Sequence, residues 1–267
     1  MSPPAVALEK LVVRAGRRRL LDVAELRVPA GEIVAVIGRN GAGKTTLLRA
    51  CLGLVKPAQG AVRVLGQEVW GRDAGARAQL RRRVGYVPQL LPARSEMPLT
   101  VREVVAIGRT GRAGLFHPLR PGDWQLVDEW IERLGLAALA RRAFSEISGG
   151  EQRKTIIARA MAQQPELLLL DEPTANLDLG WRERMVAAIQ QLHAELAISI
   201  LLVCHELEVL PPACRRVVLL DGGRVWASGP PETIFTDERI SALYGAGLRV
   251  AHEGGRHAVL PGSGAHV

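Results

Sequence analysis

The sequence predicts an α/β fold built on a largely parallel sheet, and three observations lead there. Short apolar runs alternate with longer helical patterns along most of the chain. A glycine-rich loop, Gly38-Arg39-Asn40-Gly41-Ala42-Gly43-Lys44-Thr45, separates an apolar run from a helical pattern. A second apolar run, residues 167–170, ends on two carboxylates, Asp171 and Glu172, at the edge where doubly wound sheets bind ligands.

Taken in order, residues 6–13 and 20–28 read as two antiparallel strands joined by a basic turn around Gly16. Residues 32–37 form a continuous apolar strand, followed by the glycine loop and a helix over 43–53. Further strands are expected at 61–65 and 83–87. From Thr100 the pattern turns helical, and Thr100-Val101-Arg102-Glu103 has the spacing of a capping box. A loop rich in Gly, Arg and Pro is expected at 108–122 and a helix at 123–134, so residues 90–147 read as a helical insert. A helix (150–162), a strand (166–170), a helix (180–196) and a strand (199–204) complete the core. Strands at 216–220 and 224–227 flank Asp221-Gly222-Gly223, a hairpin turn. Residues 1–235 are thus expected to form the main domain. Residues 236–267 form an extension whose tail from Pro261, rich in Gly, Ser and Ala, is expected to be disordered. No internal repeat is visible, so one such unit is expected and not two.

Composition narrows the class. The chain has 267 residues, 48% hydrophobic and 23% charged, enough for one large α/β domain. No apolar run approaches the roughly 18–20 residues of a membrane-spanning helix. Met1-Ser2-Pro3-Pro4 lacks the basic and apolar regions of a secretory signal. Cys51, Cys204 and Cys214 are an odd, widely spaced set and read as buried thiols in a reducing compartment. The formal charge of +8 is almost all arginine, because only Lys10, Lys44, Lys56 and Lys154 are lysines. Charge of this kind does not choose between nucleic acid, anionic lipid and nucleotide phosphate.

The residues around the loop carry more. The glycines let successive backbone N–H groups point inward at phosphate oxygens, and the following helix adds its positive N-terminus. This is the P-loop spacing. Lys44 is placed to reach the β- and γ-phosphates and the Thr45 hydroxyl to ligate Mg²⁺, and Thr46, next on the helix, belongs to the same nucleotide-binding set. Consecutive strand residues point to opposite sides, so the two acids divide the work. Asp171 suits the Mg²⁺ shell and Glu172 the attacking water.

Further motifs resemble the ATP-binding-cassette family. Ser148-Gly149-Gly150-Glu151-Gln152, preceded by Ile147, is similar to the family's signature loop; Gln89 in Val87-Pro88-Gln89 to its Q-loop; Ala175-Asn176-Leu177-Asp178 to its D-loop; and His205 to its switch histidine. The resemblance spans about residues 6–235. It implies a P-loop NTPase (RecA-like) core with an N-terminal antiparallel β subdomain and a helical insert. It implies ATP and Mg²⁺ as cofactors, with Gln89 touching the metal or its water and Glu172, His205 and Gln89 as catalytic groups. Ser148, Gly149, Gly150 and Asp178 would close over nucleotide bound by a partner subunit, so the active species would be a homodimer. Two departures stand out. Ala15 occupies the position where the family usually stacks an aromatic on adenine, which leaves Arg14 or Arg18 as substitutes. Glu151 replaces the usual glutamine.

Among cassette proteins, one cassette per chain argues against the ribosome-associated type. The 104 positions between Lys44 and Ser148, interrupted by Pro and Gly, exclude the coiled-coil chromosome type. Iron–sulfur assembly ATPases resemble this chain only around 148–154. An importer subunit is expected, at the cytoplasmic face of the membrane, with two permease subunits and an extracytoplasmic substrate-binding protein, and without nucleic acid. Residues 99–109 and the ending Leu243-Tyr244-Gly245, with a short strand pair around Gly254-Gly255-Arg256, resemble the group that imports metal ions and metal chelates. Leu91, Met97 and Leu99 are expected to line a groove for a permease helix. His252, His257 and His266 fit no defined metal site and read as dispersed surface histidines.

Overall fold

The computed structural model describes residues 3–71, 73–89, 99–114, 117–245 and 247–262. Strands β1 (Val6–Ala15) and β2 (Arg18–Val28) form the expected hairpin. They continue into β4 (Gln59–Val64) and β5 (Gln67–Glu68) as an antiparallel sheet of order β2-β1-β4-β5. A six-stranded sheet runs β10-β9-β3-β8-β7-β6, comprising β3 (Ile33–Ile37), β6 (Val84–Val87), β7 (Leu167–Asp171), β8 (Ser199–Cys204), β9 (Cys214–Asp221) and β10 (Arg224–Gly229). All its pairings are parallel except the β9–β10 hairpin at one edge.

The apolar run of β3 explains how the layers stack. Alternate residues of a strand face opposite sides, and a parallel sheet covered on both faces needs apolar residues on each. Val34 and Val36 face the antiparallel sheet together with Leu47 and Leu48 of α1 (Lys44–Cys51). Ile33, Ala35 and Ile37 face the opposite layer, which holds α5 (Gly149–Ala162) and α6 (Leu179–Leu196). All three cysteines are buried and free, as expected, and burial pushes the Cys51 and Cys214 thiols up to about 12.

The helical insert leaves the sheet after β6 and returns through α5 to β7, its neighbour. It contains α3 (Val101–Ala113) and α4 (Pro121–Arg133), then two 3₁₀ turns at Ala137–Leu139 and Phe144–Glu146. The capping box is present: Thr100 Oγ1 accepts from Glu103 N, and Glu103 Oε2 accepts from Thr100 N at 2.7 Å. The loop expected from Gly108 begins instead six residues later. A Cβ on Gly108 would stand 2.0 Å from the Arg159 carbonyl, so this glycine is where α3 presses its backbone against α5. Arg109, almost fully buried, bridges Asp123 of α4 and the carbonyl of Ala162 on α5. Leu91 and Met97 lie outside the described residues. Leu99 packs partly buried against the insert, and Val101, Val104 and Val105 are buried in it, so these four side chains contribute to the insert's own core.

Sequence patterning missed α2 (Ala74–Arg81), capped by Asp73, because Leu80 is its one buried residue and no apolar stripe marks it. The extension holds α8 (Asp237–Tyr244), after a short α7 (Pro231–Ile234), and the expected pair β11 (Leu248–Glu253) and β12 (Arg256–Pro261). Two of the three tail histidines, His252 and His257, are not dispersed. His252 and His257 face each other across this hairpin with their Nδ1 atoms 2.8 Å apart, and His257 is buried against the Phe235 ring. His266 lies outside the described residues, as do 263–267 of the tail.

Two glycines of α3 separate packing from propensity. Gly108→Ala forces α3 from α5 and is expected to destabilise the chain by about 1–3 kcal/mol. Gly111→Ala, whose Cβ would meet nothing nearer than Arg82 Cγ at 4.0 Å, is expected to stabilise by about 0.5–1 kcal/mol. Urea unfolding of both variants distinguishes these signs.

Candidate nucleotide site

Four parallel strands deliver the site from one edge of the sheet. The loop after β3 carries residues 38–45, β6 leads to Gln89, β7 ends in Asp171 and Glu172, and β8 leads to His205. Arg18, Leu20, Asn40, Gly41, Gly43, Lys44, Thr45, Thr46, Gln89 and Glu172 line a cleft of about 390 Å³. Gly43, the N-cap of α1, has φ 102° and would place a Cβ 2.7 Å from Leu21, so only glycine can turn the loop into the helix there. Gly38 passes so close to β9 that a Cβ would stand 2.2 Å from the Leu220 carbonyl. Ala42 is buried and its N–H donates to the Arg39 carbonyl, tightening the loop.

Lys44 folds back over this loop. Its ammonium donates to the carbonyls of Gly38 at 2.8 Å and Arg39 at 3.2 Å, and stands 3.3 Å from Glu172 Oε1. Glu172 is almost fully buried and has φ 47°, a left-handed conformation that costs a non-glycine residue of order 1–3 kcal/mol. Its Oε2 accepts from the Gln89 amide at 2.8 Å and stands 3.2 Å from His205 Nδ1. That nitrogen is buried yet lacks the alignment of a hydrogen bond, a polar atom left for something else to engage. Asn176, with φ 61°, is also left-handed within the D-loop stretch, a conformation that asparagine tolerates.

Thr45 Oγ1 donates to Asp171 Oδ1 and the Tyr86 hydroxyl donates to Asp171 Oδ2, each at 3.2 Å. Burial raises the Asp171 carboxyl above its ordinary 3.8, against the pull of these two hydrogen bonds. A hydroxyl and a carboxylate are hard oxygen donors, and among the described residues no cluster of three His, Cys, Asp or Glu could hold a metal alone. That donor set fits Mg²⁺, which keeps waters and shares phosphate oxygens, better than it fits a caged metal. Gln89 directs its amide to Glu172 at 2.8 Å.

Ser148, Gly149, Gly150 and Asp178 do not line this cleft. Ser148 caps α5 in a capping box with Glu151, whose Oε2 accepts from both Ser148 N and Oγ at 2.8 Å. Asp178 caps α6 by accepting from Trp181 N at 2.9 Å. The two turns meet through Trp181, whose ring lies where a Cβ on Gly150 would be, at 2.1 Å.

The comparisons agree with this geometry. A family profile described as ABC transporter matches residues 21–175. The chain is 40% identical over 248 residues to a hemin import ATP-binding protein of Streptomyces coelicolor, covering 91% of this chain and 86% of that one. The chain belongs to the ABC transporter family. It is also 36% identical over 235 residues to a cobalamin import ATP-binding protein of Halobacterium salinarum, but spans only 56% of that protein's length. A solved metal-chelate type ABC transporter, in an inward-facing conformation, superposes with a TM-score of 0.80 at 26% identity over 97% of both chains. The fold expected from the sequence, an ABC cassette on a P-loop core, is therefore the fold found.

Sequence reasoning missed two residues of this site. Arg153, buried on α5, donates to the carbonyls of Pro88 at 2.6 Å and Gln89 at 2.9 Å and so ties the Q-loop to the helix that Ser148 opens. An arginine on the inward face of a helix was the available signal. Tyr86 lies in β6 and gave none.

Of the two arginines considered for the base, Arg18 lines the cleft and Arg14 does not. Arg18→Ala is expected to weaken ATP binding by about 0.5–1 kcal/mol, the range for an exposed guanidinium over a ring, and Arg14→Ala to leave it unchanged. Titration with a fluorescent ATP analogue measures both, and equal losses would remove the assignment. Asp171 gives a second prediction. Its raised pKa means that folding disfavours the ionised form, so Asp171→Asn is expected to stabilise the nucleotide-free chain at pH 7. The gain shrinks as pH falls and vanishes below about 3.8, where the carboxyl is protonated in both states. A pH-independent difference in urea midpoint would contradict this.

Proposed function

We propose that the chain is the ATP-binding and ATP-hydrolysing subunit of an ABC importer, driving uptake of a metal ion or metal chelate through a partner permease. The observation that carries the catalytic half is Glu172, strained, buried and surrounded by Lys44, Gln89 and His205. A carboxylate held there, beyond a lysine that binds phosphate, suits an attacking water. Residues 38–46 bind the triphosphate, and Thr45 and Asp171, with Gln89 beside them, would hold Mg²⁺. That ion would supply neutralisation of the phosphate charge. The turns at Ser148–Gly150 and Asp178 complete the site from a second copy of the chain, which makes the working unit a homodimer. Similarity to the hemin and cobalamin import proteins and to the metal-chelate transporter supports the importer reading. On this reading two permease subunits supply the membrane path; no described helix of this chain is long and apolar enough to cross a membrane. A substrate-binding protein would deliver the cargo outside, with the ATPase at the cytoplasmic face and nucleic acid playing no part. Residues 1–235 act as the ATPase domain, with 90–147 as its insert and 236–267 as an extension.

Glu172→Gln keeps the shape and removes proton acceptance. Turnover is expected to fall at least 100-fold, within the range that removal of a general base produces, while ATP still binds and holds the dimer. Lys44→Ala instead loses nucleotide binding and the ATP-dependent dimer. Size-exclusion chromatography with ATP and Mg²⁺, beside phosphate release, checks both. Wild-type hydrolysis by Glu172→Gln would sink the assignment.

A further inference from the structure

Tyr244 ends α8, outside the cleft, and its hydroxyl donates to the main-chain carbonyl of His205 at 2.8 Å. The loop beyond His205 is gripped at two more points by the same extension. Arg256 donates to the Glu208 carbonyl at 3.0 Å while paired with Glu183 of α6, and Glu208 Oε1 accepts from Val259 N at 2.9 Å. Beneath these contacts Leu207, Val209 and Leu210 share one apolar cluster with Phe235, Ile240 and Leu243. Residues 235–261 are therefore folded onto the segment that starts with the histidine.

The His205 side chain is held less firmly: its Nδ1 stands 3.2 Å from Glu172 Oε2 without the alignment of a hydrogen bond, and its Nε2 stands 3.5 Å from Glu206 Oε1, too far for a firm one. The backbone at His205 therefore fixes the point from which the imidazole reaches toward Glu172. On one side the backbone is held by β8, and on the other by the bond from Tyr244. That phenol stays protonated and able to donate, since burial and then the neighbouring Cys204 and carboxylates push its pKa up.

We propose that Tyr244 is a positioning residue for hydrolysis: by holding the His205 peptide it aims the imidazole at the γ-phosphate position, which makes the C-terminal extension part of the catalytic apparatus. The proposal rests on the role given to His205 above. Tyr244→Phe keeps the ring and its packing and removes only the donor.

The test is a double-mutant cycle on the full chain, with Tyr244→Phe, His205→Ala and the pair. Tyr244→Phe is expected to slow kcat roughly five-fold with KM for ATP and nucleotide affinity unchanged, and to lower the thermal midpoint by no more than the roughly 2–4 °C that one lost neutral hydrogen bond costs. In the His205→Ala background the same substitution is expected to do nothing, because the group it aims is gone. Wild-type kcat in Tyr244→Phe, an equal fold loss in both backgrounds, or a loss of KM and stability together would each overturn the proposal. A His205→Ala chain with undiminished turnover would instead remove the histidine from the mechanism, and the positioning role with it.

Discussion

A lysine ammonium and a glutamate carboxylate, 5% and 7% exposed, face each other at 3.3 Å across the end of the parallel sheet. Leaving either charge alone there would be expensive, several kcal/mol for an unpaired buried ion, and the pair itself repays desolvation only with good geometry. Lys44 therefore takes three partners, two of them loop carbonyls, and Glu172 takes Gln89 as well. The strand order makes this possible. β3 and β7 are separated by β8 alone, so the loop with Lys44 and the acids of β7 converge above the strand that ends at His205. An anion that displaces Glu172 from Lys44 inherits a site already desolvated, and it releases the glutamate to act on something else. Strain at Glu172 belongs to the same constraint, since its left-handed backbone is kept only because the surrounding contacts over-determine it.

What the sequence made legible was local. The phosphate loop, the acidic pair and the capping box at Thr100 are contiguous signals, and each lies on the element expected for it. What it hid acts across distance. Arg153 reaches Pro88 and Gln89 from 65 and 64 positions away, and Tyr86 reaches Asp171 from 85. Such side chains carry no pattern of their own. Gly108 misled for a related reason: inside a helix a glycine resembles a stop unless the partner backbone pressing on it is known. Helix α2 escaped because a helix held by one buried leucine has no amphipathic period to read. The histidine pair of the last hairpin was missed because cross-strand register, not spacing, brings 252 and 257 together.

The turn at Ser148 shows how the unpaired half of the molecule stays satisfied. Its backbone N–H and hydroxyl both donate to Glu151, whose carboxyl is held below its ordinary range by these bonds, the side-chain bond first. Gly150 is pinned under Trp181, which has Arg184 on its ring at 5.0 Å and Lys154 at 5.7 Å, and Trp181 in turn supplies the N–H that caps onto Asp178. The signature turn and the D-loop stretch are thus one rigid corner, spaced by an aromatic side chain. On the dimer reading, a phosphate arriving from a second chain must compete with Glu151 for the Ser148 hydroxyl. The glutamate that stands where glutamine is usual is thus an internal partner that satisfies both donors of the turn within one copy.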